Sequence, residues 1–234
     1  TTEAKPMYTN RGDIPLPLAV WLAADVGYDL KPQPDVYSAT TLLKPIRSVI
    51  LSRRLEAANE AGTIDLAEVV ASRLGTAVHE AAEIAWVEHR DKALTNLGVP
   101  KSVQDRIYLN ADEETDPDGI YIYIEQRSAK KVKGQWVSGK YDFVVKGRVM
   151  DIKTTSIWTW VFGDKIEDYR WQGSIYRWLN PDVITDDHID IMFVFKDWTE
   201  GKLKTEKKYP PNRVHTESYP LYSIEETEQF VRDR

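Results

Sequence analysis

Apolar residues recur at every second position in Ile120-Tyr121-Ile122-Tyr123-Ile124 and fill short runs in Tyr141–Val145, Val149–Lys153 and Ile189–Phe195, the pattern of β-strands. Lys146-Gly147-Arg148 is a short glycine-containing connection, so residues 139 to 153 read as a hairpin. Ile189–Phe195 reads as a buried strand. Between the strands lie helical signals. Ser38-Ala39-Thr40-Thr41 caps a helix running toward Gly62, with Pro45 in its first turns. Asp65 caps a long helix with Glu68 at the capping-box position and Gly98 as its stop, and another helix covers about Asp164 to Leu179. Ser223-Ile224-Glu225-Glu226 is a capping box whose helix stops about two turns on, which fits a domain cut from a longer protein. The first 37 residues, with Ile14-Pro15-Leu16-Pro17 and Lys31-Pro32-Gln33-Pro34, show little period and read as an arm held by Trp21 and Leu22. The expected fold is α/β: an N-terminal extended arm over residues 1–37, then one domain over 38–234 with a mixed central β-sheet flanked by α-helices.

Chemistry concentrates on the hairpin. Side chains at i and i+2 of a strand share a face, so Asp151 and Lys153 sit side by side while Met150 and Ile152 pack inward. Asp142, on the partner strand, approaches Asp151 across the ladder. Two converging carboxylates repel, a cation between them relieves the repulsion, and oxygen ligands select Mg²⁺ or Mn²⁺. The Ile152 carbonyl is a further candidate oxygen ligand, and Lys153 is placed to stabilise charge developing on a phosphorane. His79 and Glu83 lie one turn apart on the long helix. Glu83 stands where a zincin helix carries its second histidine, so that reading fails. Gln172 and Tyr176, at i and i+4, share a helix face. Glu125 has two readings, a further metal ligand or the partner of a lysine. Trp158 and Trp160 also have two, stacking on an unpaired base or packing in the core. His89, His188 and His215 have no usable partner spacing.

The ordered set of His79, Gly139-Lys140-Tyr141-Asp142, Asp151-Ile152-Lys153 and Gln172-Gly173-Ser174-Ile175-Tyr176 resembles the PD-(D/E)XK nuclease superfamily. Within it the likeness is to the RecB-like branch that includes AddB, CRISPR-associated and phage exonucleases, and it covers roughly residues 38 to 196. The resemblance implies a restriction-endonuclease-like core. His79, Asp142 and Asp151 would bind metal, Lys153 would be catalytic, and Gln172 and Tyr176 would line the site or contact the DNA end. Many members of that branch carry cysteines holding an iron–sulfur cluster. This chain has no cysteine, so it can form neither that cluster nor a disulfide, and the likeness shifts toward cluster-free phage exonucleases.

The net charge of −6 obscures an uneven distribution. Arg127, Lys130, Lys131, Lys133, Lys140, Lys146, Arg148 and Lys153 form a basic band broken only by Asp142 and Asp151, whereas acid gathers in Asp112–Asp118. A basic band beside a metal site suits DNA phosphate, with Lys130, Lys131, Lys133 and Lys140 as candidate contacts; a solvated hairpin surface is the plainer alternative. No apolar run reaches bilayer length and no signal-peptide pattern opens the chain, so the expectation is a cytoplasmic protein without a membrane partner. Arg11-Gly12-Asp13 spells a cell-adhesion tripeptide, a coincidence in an intracellular chain. The function expected is an Mg²⁺- or Mn²⁺-dependent DNA exonuclease of phage recombination, repair or genome processing. By analogy it would work with a recombination or helicase partner, and as a homo-oligomeric ring if processive. An endonuclease using the same site, an inactive DNA-binding domain of the same fold, a paired-carboxylate glycosidase and a purely structural domain stay open.

Overall fold

A computed structural model describes residues 8–24, 35–58 and 62–234. In chain order its strands are β1 (Tyr8–Thr9), β2 (Val36–Ser38), β3 (Ile64–Asp65), β4 (Ile107–Leu109), β5 (Ile120–Ile124), β6 (Arg127–Val132), β7 (Gln135–Lys140), β8 (Phe143–Val145), β9 (Arg148–Thr155), β10 (His188–Phe195) and β11 (Val214–Pro220). Its helices are α1 (Leu16–Ala23), α2 (Ala39–Leu42), α3 (Ile46–Ala57), α4 (Leu66–Glu88), α5 (Arg90–Asn96), α6 (Lys101–Gln104), α7 (Ile157–Phe162), α8 (Ile166–Leu179) and α9 (Ile224–Asp233).

Six strands form a mixed sheet in the order β11-β10-β9-β8-β5-β4. The turn Lys146-Gly147 joins β8 to β9 with both residues at positive φ (50° and 77°), the two-residue geometry whose twist matches antiparallel strands. A β-carbon at Gly147 would also lie 2.1 Å from Thr185 Oγ1, so glycine is required there twice over. β9 and β10 are parallel, connected through α7 and α8, and Asp151 lies opposite Ile191. Strand β10 alternates: Ile189, Ile191, Phe193 and Phe195 are buried, and the residues between them are half-buried. Ile189 packs so tightly on α8 that a β-carbon at Gly173 would meet it at 2.9 Å. Met150, Ile152 and Met192 pack with Ile122, Ile124 and Phe143, alongside Ala82 and Trp86 of α4.

Helices therefore cover both faces of the sheet, and this changes the reading of β9. The expected inward face, Met150 and Ile152, is only half-buried, whereas Val149 (0 % exposed) and Asp151 (1 %) face the tighter core. Asp151 projects into protein because β9 is a central strand, not the rim of the sheet.

Two expected helices break. Ser38 does cap a helix, its hydroxyl accepting from the Thr41 N–H, but that helix ends at Leu42. Pro45 disfavours helical backbone at the residue before it, and the chain restarts as α3. Asp65 caps α4 by accepting from the Ala67 N–H, and His89 (φ −125°) separates α4 from α5 before Gly98, at φ 73°, ends the run. The last helix opens with its capping box formed.

Gly139 and Lys140 belong not to the β8–β9 hairpin but to β7, in a separate sheet of order β2-β7-β6. The arm is also more structured than its composition suggests. β1 pairs with β3, α1 lies on α4 with Leu22 fully buried, and Arg73 Nε donates to the Leu22 carbonyl at 3.0 Å. Trp21 remains partly exposed. The boundary expected after residue 37 falls inside β2, and Lys31–Pro34 lie outside the described residues. No helix among the described residues is long and apolar enough to cross a membrane.

Candidate metal-binding and catalytic site

Three segments meet at the middle of β9. Asp142, in the step between β7 and β8, sits one position before the Phe143–Met150 pair and thus in register with Asp151. Its Oδ2 accepts from the Ile152 backbone N–H at 2.7 Å, and its Oδ1 lies 3.2 Å from His79 Nδ1. The other ring nitrogen of His79, Nε2, is 3.0 Å from the Ile152 carbonyl. Glu125 ends β5 in the left-handed region (φ 51°), and its N–H donates to the Asp142 carbonyl at 3.0 Å. An L-residue holds that conformation only when its surroundings enforce it. The Glu125 carboxylate is ion-paired with Lys140. One ligand atom each from His79, Glu125 and Asp142 falls within 4.8 Å of the others.

Asp151 is not part of that triple. Its Oδ2 faces Lys153 Nζ at 2.5 Å, and its Oδ1 accepts from Gln172 Nε2 at 3.2 Å. The Gln172 amide also donates to the Tyr176 hydroxyl at 2.7 Å, so the two residues one helical turn apart act together on Asp151. Apart from the Lys153 ammonium, the buried Asp151 Oδ2 has no hydrogen-bond partner among the described residues.

Each carboxylate here is matched to one basic side chain: Asp142 to His79, Asp151 to Lys153, Glu125 to Lys140. Burial, then the charge of Asp142, pushes the Asp151 carboxyl up to about 6 against the opposing pull of Lys153. Burial pulls Lys153 down, but the Asp151 charge outweighs it and the amine is held above its ordinary value. The Asp142 hydrogen bond raises His79, whose two ring nitrogens both face acceptors. Burial raises Glu125 against the pull of Lys140. Carboxylate oxygens gathered in this way are the donor type that a hard divalent ion prefers. Entry of such an ion at His79 has to release a proton.

The remaining candidates scatter. Lys130 lies over the Trp178 ring at 4.5 Å, Lys131 is 6.0 Å from that of Trp136, and Lys133 donates to the Arg232 carbonyl at 2.7 Å. These lysines stand on or just after β6, in the smaller sheet. Trp158 is half-buried, stacked on Phe162 and near Lys202. Trp160 meets Phe195 edge-on and donates its indole N–H to Glu217.

One residue of this neighbourhood is one that motif reading passes over. Tyr169 on α8 sets its ring 5.9 Å from Lys153 Nζ; it lies one turn before Gln172, a spacing visible in the sequence. Gly139 lets Tyr176 approach β7, since a β-carbon there would lie 2.9 Å from the tyrosine ring.

No family model and no curated protein matches the chain. Among solved structures it is similar to the crystal structure of SSO0001, with a TM-score of 0.50 and 14 % identity over 88 % of this chain and 77 % of that one. A likeness at that identity bears on the fold alone: a mixed α/β architecture of multi-stranded sheets flanked by helices.

Proposed function

We propose that the protein is a metal-dependent deoxyribonuclease built on a restriction-endonuclease-like core, hydrolysing phosphodiester bonds from DNA ends. One observation carries the reading: Asp142, just before β8, lies in register with Asp151 of the antiparallel β9, with Lys153 Nζ 2.5 Å from Asp151 and His79 bridging Asp142 and the Ile152 carbonyl. Asp142, Asp151, the Ile152 carbonyl and His79 would hold Mg²⁺ or Mn²⁺, with Glu125 close enough to join them. When bound, such an ion supplies Lewis-acid stabilisation of phosphoryl charge and lowers the pKa of a water. Lys153, kept protonated by its neighbours, donates to the non-bridging oxygen as charge develops there or orients the attacking water. Gln172 fixes the rotamer of Asp151, and Tyr176 fixes Gln172. The choice of end-directed over site-specific cutting follows the Gln-x-x-x-Tyr helix, which resembles processing nucleases. Phage recombination or genome processing in a bacterial cytoplasm is the setting that resemblance suggests.

The test is digestion of 5′-labelled and 3′-labelled linear DNA beside closed circles, with Mg²⁺, Mn²⁺ or EDTA. Cleavage that needs metal, free ends and Lys153 is the expected result, and the label released first gives the polarity. Cutting of circles replaces the exonuclease with an endonuclease on the same residues. DNA binding with no cleavage under any metal replaces both with an inactive binding domain.

A further inference from the structure

A cleft of about 320 Å³ lies between α7, the start of α8, β11 and the segment 207–211. This volume lies at the small end of the ~300–1,000 Å³ typical of ligand sites. It suits one nucleotide rather than a duplex. The cleft is lined by the aromatic rings of Trp160, Tyr209 and Tyr219 and by Lys207, Lys208 and Glu217. Two ammonium groups against one carboxylate leave it positive, and Glu217 is already engaged by the Trp160 indole N–H. The segment bearing the lysines is tied down: Trp198 Nε1 donates to the Pro210 carbonyl at 3.0 Å, and the Tyr209 hydroxyl accepts from the Thr199 N–H at 2.9 Å. The cleft also adjoins the site on β9. The Tyr219 ring lies 6.4 Å from that of Tyr169, whose own ring is 5.9 Å from Lys153 Nζ.

Aromatic residues beside two lysines match a nucleobase joined to a phosphate, the combination that single-strand binding surfaces use. We propose that this cleft is a subsite for one unpaired nucleotide of the DNA strand being cut, its base against the aromatic wall and its phosphate on Lys207 and Lys208. The role in cutting rests on the nuclease reading of β9. The affinity for an unpaired nucleotide does not.

Fluorescence anisotropy with a labelled short single strand and a labelled blunt duplex, in Ca²⁺, separates the two. The wild type is compared with Lys207→Ala/Lys208→Ala and with Lys92→Ala/Lys101→Ala, which makes the same charge change on α5 and α6. The cleft variant should bind the single strand about tenfold more weakly, with a salt dependence shallower by about two phosphate contacts, while the control matches the wild type. Duplex affinity should fall by less than single-strand affinity. Equal single-strand binding by the cleft and control variants overturns the proposal, as does a wild type that binds no single strand. A wild type that binds through these lysines but cleaves nothing with Mg²⁺ or Mn²⁺ sinks the nuclease reading and leaves the subsite standing. One that cleaves, with binding indifferent to Lys207 and Lys208, does the reverse.

Discussion

Among the described residues, two groupings of acid and histidine bring their ligand atoms within 4.8 Å of one another, His79 with Glu125 and Asp142, and Asp186 with Asp187 and His188. The first is assembled from α4, the end of β5 and the step into β8, and is at least half-buried. The second is three consecutive residues at the surface turn into β10. Its charges are already used: Asp186 takes Arg148 Nη2 at 2.9 Å and the His188 N–H at 2.9 Å, and Arg148 also holds Asp190 at 3.1 Å. Buried charges gathered from distant segments cost folding energy that exposed neighbours in a turn do not, and such sites collect where function requires them. The turn at 186–188 reads as a latch that fastens the start of β10 to β9.

The sharpest way to break this contrast is mutation at both places. Lys153→Ala or Asp151→Ala should lower the rate of labelled nucleotide release by about a thousandfold or more, whereas Asp187→Ala should stay within about twofold of wild type. Equal losses from all three would erase the distinction. Packing gives the next effect. Gly139→Ala forces a methyl against the Tyr176 ring and should cost about 1–3 kcal/mol in urea unfolding, with part of the loss appearing as a displaced Gln172 and slower cleavage. Unchanged stability would mean that α8 tolerates a shift away from β7.

The metal-free protein also carries a pH signature. The Asp151 carboxyl titrates near 6 in the fold against an ordinary 3.8, so between those values the native state holds a proton that the unfolded chain has released. This group's contribution to stability is therefore full below about 4 and declines as pH rises toward 6. Asp151→Asn should gain stability relative to wild type over that window. Parallel curves for the two proteins would show that Asp151 has no raised pKa. At the latch, Arg148→Ala should cost about 1 kcal/mol in the same unfolding assay while leaving metal-dependent cleavage intact.

The grouping of the candidate side chains was more legible than the packing. Asp142, Asp151, Lys153, Gln172 and Tyr176 stand in short strand and helix spacings, and local periodicity brings such residues together whatever lies above them. Glu125 could not be decided from sequence, because its place depends on a left-handed residue at a strand end and on Lys140 from the other sheet. Burial of Asp151 was hidden for a related reason. Whether β9 lies at the rim or in the centre depends on β10 and α8, further along the chain, and its own eight residues look alike in either case. The helix break at Pro45 is local, the proline's own restriction on the residue before it, whereas the break at His89 leaves no mark in an otherwise helical pattern. Of the cleft only Trp160 stood out in the sequence, since the walls come from α7, α8, β11 and the segment before it.

Calorimetric titration of Mn²⁺ into three proteins tests the central claim most directly: wild type, Asp142→Asn/Asp151→Asn, and Asp186→Ala/Asp187→Ala/His188→Ala. The account predicts that the wild type takes up the ion with release of protons and more weakly below about pH 6, that the first variant loses this uptake, and that the second keeps it. Uptake that survives in the first and vanishes in the second would place the metal at the surface turn and remove the site on β9.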